Sequence, residues 1–247
     1  NVGQPMLADP SYAVFYPANL LYLALPFHAA WNLVLSGHVL WAAAGAYLLA
    51  RALGAARWAS VAGAFAFGFS GPLVSSLNEY SLLLAASWTP WILLGALAAW
   101  RRGGRAVPLT GLAIAAQALA CEPTMLACTA AVVAAGWIAG LVRGEERRAR
   151  LARGAAIAAI AGLVSAVQLV PAALWVPHTD RGAALPFRES AAWWSLHPER
   201  LHELLAPLVH GNAMADRTAA FWGGHLSDAG YPYVPRLYLG WLPLLPA

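Results

Sequence analysis

Residues 80–100 read YSLLLAASWTPWILLGALAAW, a run of 21 positions without a charged side chain that ends on Arg101 and Arg102. An α-helix needs about 20 apolar residues to cross the roughly 30 Å of hydrocarbon in a bilayer. Arginines at the end of such a run extend their side chains to the membrane surface. The run therefore predicts a membrane-spanning helix.

The composition of the whole chain agrees with this prediction. The 247 residues are 60% hydrophobic and 11% charged, with a mean hydropathy of +0.59, whereas a soluble domain is about 25% charged. These proportions exclude a soluble globular enzyme and a disordered tail. All 15 cations are arginine, which fits a GC-rich bacterial gene. They are spread thinly instead of forming a basic patch, which excludes a nucleic-acid-binding domain.

Five further apolar segments predict an all-α, polytopic membrane protein. They cover residues 28–50, 58–77, 107–121, 123–142 and 154–176. The predicted organisation is an external loop with a short interfacial helix (1–27), a six-helix bundle (28–176), a long external loop (177–235) and the start of a further helix (236–247). Because the chain begins without Met and ends inside an apolar run, we expect it to be a piece of a longer protein.

The distribution of charge predicts the orientation. Ten of the 15 arginines lie in three short connections, and the positive-inside rule places all three in the cytoplasm. An even number of crossings must then separate the connections, which requires a tight external turn at Cys121–Thr124. Nine of the 11 acidic residues fall outside. We therefore expect a multi-pass protein of the bacterial cytoplasmic membrane with its polar chemistry on the extracytoplasmic face.

Three external carboxylates are candidate functional groups. Asp9, before Pro10, is either a turn-capping residue or a general base or metal ligand at the membrane surface. Glu122 is either a carboxylate favoured by the dipole of the following helix or a ligand for metal, phosphate or sugar. Glu79, in the neighbouring external turn, leaves the same two interpretations open.

A second group of candidates follows the sixth apolar segment. Arg181 and Arg188 are suited either to a bidentate contact with a lipid phosphate or to an ordinary place at the headgroup level. His178 lies beside them. Further along, Leu201, Leu204, Leu205 and Leu208 recur at helical spacing and predict an amphipathic helix that lies on the membrane or on the bundle.

Several motifs, in order, resemble YfhO-like bacterial membrane proteins, which belong to the GT-C group of polytopic glycosyltransferases. The matching stretches are Gly3-Gln4-Pro5-Met6-Leu7-Ala8-Asp9-Pro10, Phe15-Tyr16-Pro17 with Asn19-Leu20-Leu21, His38, Phe69-Ser70-Gly71, Trp88-Thr89-Pro90-Trp91, Gln168-Leu169-Val170-Pro171, Ser195-Leu196-His197-Pro198 and Tyr238-Leu239-Gly240-Trp241-Leu242-Pro243-Leu244. The resemblance covers nearly the whole chain.

The resemblance implies a GT-C-like helical bundle that takes a sugar from a polyprenyl-phosphate carrier and transfers it to an acceptor on the cell surface. It implies that a carboxylate of the first external loop acts as base or as ligand of a divalent cation, Mg or Mn. Asp9 and Glu122 are our candidates for this acidic centre, although the family often has a G-H-P-Q-like turn where Cys121-Glu122-Pro123-Thr124 stands. Arg181 and Arg188 would bind the carrier phosphate. The remaining substrate-binding candidates are Glu79, His178 and Tyr16. In the family, the principal catalytic Asp follows a first span that would precede Asn1, and Asp9 is then a secondary carboxylate.

Two alternatives from other classes stay open. A transporter or flippase for a lipid-linked glycan would line one continuous path with the intramembrane polar residues His38, Gln117 and Gln168. Without such a path, we expect these polar residues to make hydrogen bonds between helices. A non-catalytic membrane scaffold would leave Asp9, Glu122 and the loop arginines pointing in unrelated directions.

Overall fold

The structure, a computed structural model, describes residues 6–9, 12–142, 146–179, 195–212, 221–227 and 232–240. It is all-helical in this part of the chain. The α-helices are α1 (Leu21–Ala24), α2 (Phe27–Ala52), α3 (Arg57–Gly68), α4 (Gly71–Ser75), α5 (Tyr80–Arg102), α6 (Ala106–Leu119), α7 (Pro123–Val142) and α8 (Arg147–Trp175). Each of the six predicted apolar segments is helical, and the predicted turn before Pro123 is present.

The helices pack around α5. Helix α5 lies between α2 and α6, α3 packs on the outer side of α2, and α8 packs on α6. Helix α7 contacts mainly α5, and Thr129 is its one buried residue. At the α2–α5 contact the Trp41 and Trp91 rings stack with centroids 4.1 Å apart, and Trp91 donates to the Trp41 carbonyl. The bundle is therefore tightest between α2, α5 and α6 and most open beside α7.

Within the described residues, five helical segments are long and apolar enough to cross a membrane. They are Phe27–Ala52, Arg57–Asn78, Tyr80–Arg102, Pro123–Val142 and Arg147–His178. Helix α6 corresponds to the fourth predicted span, 107–121, but its 14 residues reach only about 21 Å. Eight of those residues are buried between the neighbouring helices. Its apolar sequence is thus explained at least as well by a place inside the bundle as by contact with lipid.

The second predicted span is a broken helix, where the sequence predicts a continuous one. Helix α3 ends at Gly68, and Ser70 starts α4 by accepting a hydrogen bond from the Leu73 backbone N–H at 3.3 Å. The Gly71 N–H donates outside the helix, to the Tyr238 carbonyl at 2.7 Å. Pro72 has no N–H to continue the helical ladder. The break therefore comes from a capping serine, a proline and a contact with a distant loop.

The segment before α2 is anchored in the bundle through Tyr16, which is 2% exposed. The Trp88 indole N–H donates to the Tyr16 hydroxyl at 2.8 Å, and that hydroxyl lies 2.6 Å from His38 Nε2. His38 Nδ1 lies 2.6 Å from the Val34 carbonyl, which can only accept, so Nδ1 carries the proton and Nε2 accepts from Tyr16. One directed chain of hydrogen bonds thus joins this segment to α2 and α5.

The described part of the long loop packs on the α3–α4 break. Arg200 and Glu203 form a buried two-point ion pair with N–O distances of 2.9 and 2.8 Å, and Arg200 also donates to the Val234 carbonyl. Both lie in a 3-10 helix, Pro198–Leu204, in the segment for which the sequence predicts an amphipathic helix. Leu201 and Leu205 are 49% and 54% exposed, and the ion pair occupies the buried side of the segment.

Candidate functional site

The charged residues divide between the two ends of the bundle. One end, here called the arginine end, holds the C-termini of α2, α5 and α7 and the N-termini of α3, α6 and α8. Contacts between its arginines and helix ends hold it together: Arg101 donates to the Ala52 carbonyl at 3.2 Å and Arg153 to the Trp100 carbonyl at 3.1 Å. The opposite end, here called the carboxylate end, holds Asp9, Glu79 and Glu122.

Asp9 reaches the carboxylate end through a short stretch tied to α8. Gln168, near the C-terminus of α8, donates from its amide nitrogen to the Leu7 carbonyl at 2.9 Å. Asp9 lies close enough to Cys121 for its negative charge to act on the thiol. Burial first, and then Asp9, raise the pKa of Cys121 to about 11. Asp9 and the Cys121–Glu122 turn are therefore neighbours, although 112 positions separate them in sequence.

Glu79 and Glu122 are brought together from two different turns. Glu79 directly precedes α5, and Glu122 directly precedes α7. Burial raises the pKa of the Glu79 carboxyl group above its ordinary value, and the negative charge of Glu122 raises it further. The two carboxylates are therefore close enough for the charge of one to act on the other. A carboxylate at this end of the bundle can accept a proton from a bound hydroxyl group.

Tyr233 is a member of this end that the sequence did not single out. Burial raises the pKa of its hydroxyl group, and the charges of Glu79 and Glu122 raise it further. A neutral phenol beside two carboxylates is a hydrogen-bond donor at neutral pH. The local signal is the segment Pro232-Tyr233-Val234-Pro235, in which two prolines restrict the backbone and the chain bends. That signal does not say which carboxylates the ring will meet.

The other predicted site residues are placed differently. His178 is exposed and contacts Trp175, with ring centroids 5.4 Å apart. Tyr16 is buried and its hydroxyl group is occupied by Trp88 and His38, so a sugar reaches it only if the segment around it moves. Arg181 and Arg188 lie outside the described residues. Substrate binding by these four residues stays a prediction.

A metal centre does not fit the described residues. Among them, no group of three or more His, Cys, Asp or Glu side chains is placed to hold a metal ion. The Mg or Mn ion implied by the resemblance therefore finds no complete ligand set in this part of the chain. The chemistry derived below relies on the side chains alone.

The intramembrane polar residues are buried and hydrogen-bonded in three separate places. His38 bonds to Tyr16, Gln168 to Leu7, and Gln117 to the Ala85 carbonyl at 2.9 Å and to Thr129 at 3.1 Å. Gln117 bonds across to α5 and α7, as expected for a polar residue between helices. These contacts give no support to the continuous polar path that a transporter would need.

Comparison with protein-family models, with curated proteins and with solved structures gave no match to this chain. The resemblance to YfhO-like proteins therefore stays a prediction from the sequence motifs alone.

Proposed function

We propose that the chain is part of a membrane-embedded glycosyltransferase that moves a sugar from a polyprenyl-phosphate carrier to a hydroxyl group on a cell-surface acceptor. The observation that carries the proposal is the meeting of Asp9, Glu79 and Glu122 at one end of an apolar helical bundle. They come from three separate segments of the chain. A purely structural role for each as a turn residue does not require them to be neighbours.

The chemistry follows from the carboxylates. The bond between the anomeric carbon and the carrier phosphate breaks, and its electron pair leaves with the phosphate. A bond forms from the same carbon to the acceptor oxygen, and the hydroxyl proton passes to the carboxylate of Asp9 or Glu122, acting as general base. In this proposal, Glu79 and Tyr233 hold hydroxyl groups of the sugar. Because the phosphate bond supplies the driving force, no nucleotide site is needed.

The location of the site supports a substrate that is carried by a lipid. The carboxylate end is built from turns between apolar helices, so a group bound there lies at the depth of a membrane surface. A carrier with an isoprenoid tail delivers its phosphate and sugar to that depth. In the proposed orientation this end faces the extracytoplasmic side of a bacterial cytoplasmic membrane.

The test uses membranes that contain the full-length protein and polyprenyl-phosphate sugars labelled with 14C in glucose, galactose or N-acetylglucosamine. Label transferred to membrane-bound polymer is counted for the wild type, Asp9→Asn and Glu122→Gln. We expect transfer by the wild type and a loss of about 100-fold or more in at least one of the two variants, the usual effect of removing a general base.

Glu199→Gln is the matched control, because Glu199 is an exposed carboxylate of the loop outside this cluster. It should transfer sugar at the wild-type rate. Wild-type transfer by both Asp9→Asn and Glu122→Gln, at normal protein levels in the membrane, would rule out the assigned base. Absence of transfer by the wild type from all three carriers would contradict the proposed activity for these sugars.

A further inference from the structure

A small cavity lies in the described part of the long loop and the segment that follows it. Its volume is about 190 Å³, and its lining comes from residues 195–200, from Ser227 and from residues 232–237. Because the lining residues Ser195 and Leu196 are exposed, a solute can reach the cavity from water. Sites for drug-sized ligands have volumes of about 300–1,000 Å³. This cavity therefore has room for one small ring and not for a longer molecule.

A buried arginine with an unused donor group lines the cavity. Arg200 is 4% exposed. Its Nε and Nη2 atoms donate to Glu203 at 2.9 and 2.8 Å, and Nη2 also donates to the Val234 carbonyl at 3.0 Å. Its Nη1 atom makes no hydrogen bond with the described residues. An Nη atom of a guanidinium group is a donor and never an acceptor, so a ligand in the cavity that binds Nη1 must offer an acceptor oxygen.

The charges around the cavity favour a neutral ligand over an anion. The two-point ion pair with Glu203 neutralises the Arg200 guanidinium, so the pair adds no net charge. The negative charges of Glu79 and Glu122 act on Tyr233, which also lines the cavity. A phosphate group would therefore meet a cation that is already neutralised and two carboxylates that repel it. The oxygen that binds Nη1 is better supplied by a hydroxyl group.

The remaining lining matches the two kinds of surface on a sugar ring. Val234 and Leu237 are apolar, whereas Ser195 and Ser227 carry hydroxyl groups that both donate and accept hydrogen bonds. A pyranose ring has C–H groups on its faces and hydroxyl groups around its edge. Apolar walls with a few polar groups are the usual composition of a ligand site. A single sugar ring thus fits the cavity in size, charge and surface.

The cavity lies next to the carboxylate end. The Arg236 backbone N–H donates to the hydroxyl group of Ser75, the last residue of α4, at 3.0 Å. The lining segment 232–237 is thereby held against the part of the chain that leads to Glu79. Tyr233 connects the two places, because it lines the cavity and the charge of Glu79 acts on it. A ring in the cavity is therefore a neighbour of the proposed catalytic carboxylates.

We infer that this cavity binds one neutral pyranose ring. Arg200 Nη1 donates to a hydroxyl group of the ring, and Ser195 and Ser227 bond to others. One face of the ring lies against Val234 and Leu237. The role of this site in glycosyl transfer rests on the proposed function, whereas binding of the ring can be measured without transfer. The ring belongs either to the carrier sugar or to the end of the acceptor, which present the same chemistry to the cavity.

The test is binding of the methyl glycosides of glucose, galactose and N-acetylglucosamine to the purified full chain in detergent, measured by saturation-transfer difference NMR. We expect at least one glycoside to bind and inorganic phosphate not to displace it. Ser227→Ala should weaken binding about threefold to tenfold, the effect of one lost hydrogen bond. Ser36→Ala, which removes an exposed hydroxyl group on α2, is the matched control and should bind as the wild type does.

A second set of variants tests the arginine and the space. Arg200→Lys keeps a cation beside Glu203 but removes the guanidinium group, and should weaken binding about tenfold or more, as for a hydrogen bond to a charged group. If Arg200→Lys fails to fold, Ser227→Leu tests the same cavity by filling it and should abolish measurable binding. His225→Leu, two residues away and outside the lining, is its control and should bind normally.

The source of the ring is tested in the transfer assay. The KM of Ser227→Ala is measured for the polyprenyl-phosphate sugar and for purified cell-surface polymer. A raised KM for the carrier assigns the cavity to the carrier sugar, and a raised KM for the polymer assigns it to the acceptor. An unchanged KM for both, in a variant that transfers sugar, would overturn a role for the cavity in the reaction.

Three binding results would overturn the inference. Absence of binding by all three glycosides at millimolar concentrations would show that the cavity holds no free sugar ring. Equal binding by the wild type and Ser227→Leu would place the ring elsewhere. Displacement of the glycoside by phosphate would show an anion site. Glycoside binding in a wild-type protein that transfers no sugar would instead contradict the proposed function and support the binding site.

Discussion

Glu79 is the carboxylate whose pKa responds to its surroundings at the carboxylate end of the bundle. Its carboxyl group has a raised pKa because it is partly buried and because Glu122 is close. Such a group binds more protons in the folded state than in the unfolded state at pH values between its ordinary and its raised pKa. Its contribution to the free energy of unfolding is therefore fully present below the ordinary value of 4.5 and falls as the pH rises through the raised value.

Glu79→Gln should remove this fall. We expect the thermal unfolding midpoint of the variant in detergent to depend less on pH than that of the wild type between about pH 4 and pH 7. Glu122→Gln should flatten the same curve by a smaller amount, because burial is the larger cause of the shift. Glu199→Gln, which removes an exposed loop carboxylate, is the control. A slope in Glu79→Gln equal to that of the wild type would contradict this environment for Glu79.

The sequence predicted part of this residue-level arrangement. The positive-inside rule places the arginine-rich connections on one face of the membrane, which leaves most acidic residues on the opposite face. This was enough to expect Asp9 and Glu122 at the same end. Tyr233 was missed because its contact depends on how a distant loop folds back onto the bundle. The place of Tyr16 was also missed, because an aromatic residue in a loop gives no sign that its hydroxyl group will bond to a histidine in α2.

At the scale of single elements, the contact between α7 and α5 depends on Gly140, which leaves room for the Trp100 ring. A Cβ added at Gly140 would overlap the Trp100 indole ring, whereas a Cβ added at Gly136 meets nothing within 4 Å. The two glycines lie on the same helix one turn apart. They therefore separate the effect of packing against α5 from the effect of helix propensity.

Gly140→Ala and Gly136→Ala should change stability in opposite directions. We expect Gly140→Ala to lower the free energy of unfolding by about 1–3 kcal/mol through overpacking. Gly136→Ala should raise it by about 1 kcal/mol through helix propensity. Unfolding with increasing sodium dodecyl sulfate measures both. Changes of the same sign in the two variants would contradict the packing of Trp100 against α7.

Helix boundaries were largely predictable, and the exceptions have local causes. Apolar runs ending on arginine, and Pro123 at the start of α7, gave bounds within a few residues for most helices. The start of α8 was placed too late, because arginines 147–153 were assigned to a connection and are helical. The break between α3 and α4 was missed because a count of apolar residues does not register Ser70 and Pro72. The segment after Pro198 is a 3-10 helix that buries an ion pair, and the leucine spacing alone indicates neither feature.

At the scale of the whole molecule, the separation of charge between the two ends gives the bundle its direction. The arginines close one end through contacts with helix termini, and the carboxylates gather at the other. The direction of the bundle in the membrane itself follows from the positive-inside rule and stays a prediction.

The convergence of the carboxylates is tested most directly by distances between spin labels in the full chain. The background is Cys121→Ala with Cys128→Ser, and labels are attached at Asp9→Cys with Glu122→Cys, or at Glu122→Cys with Arg147→Cys. Pulsed electron paramagnetic resonance should give a distance within about 20 Å for the first pair. The second pair should be separated by about 30 Å, the length of the 20 residues of α7. A distance for the first pair as long as that for the second would contradict the shared site.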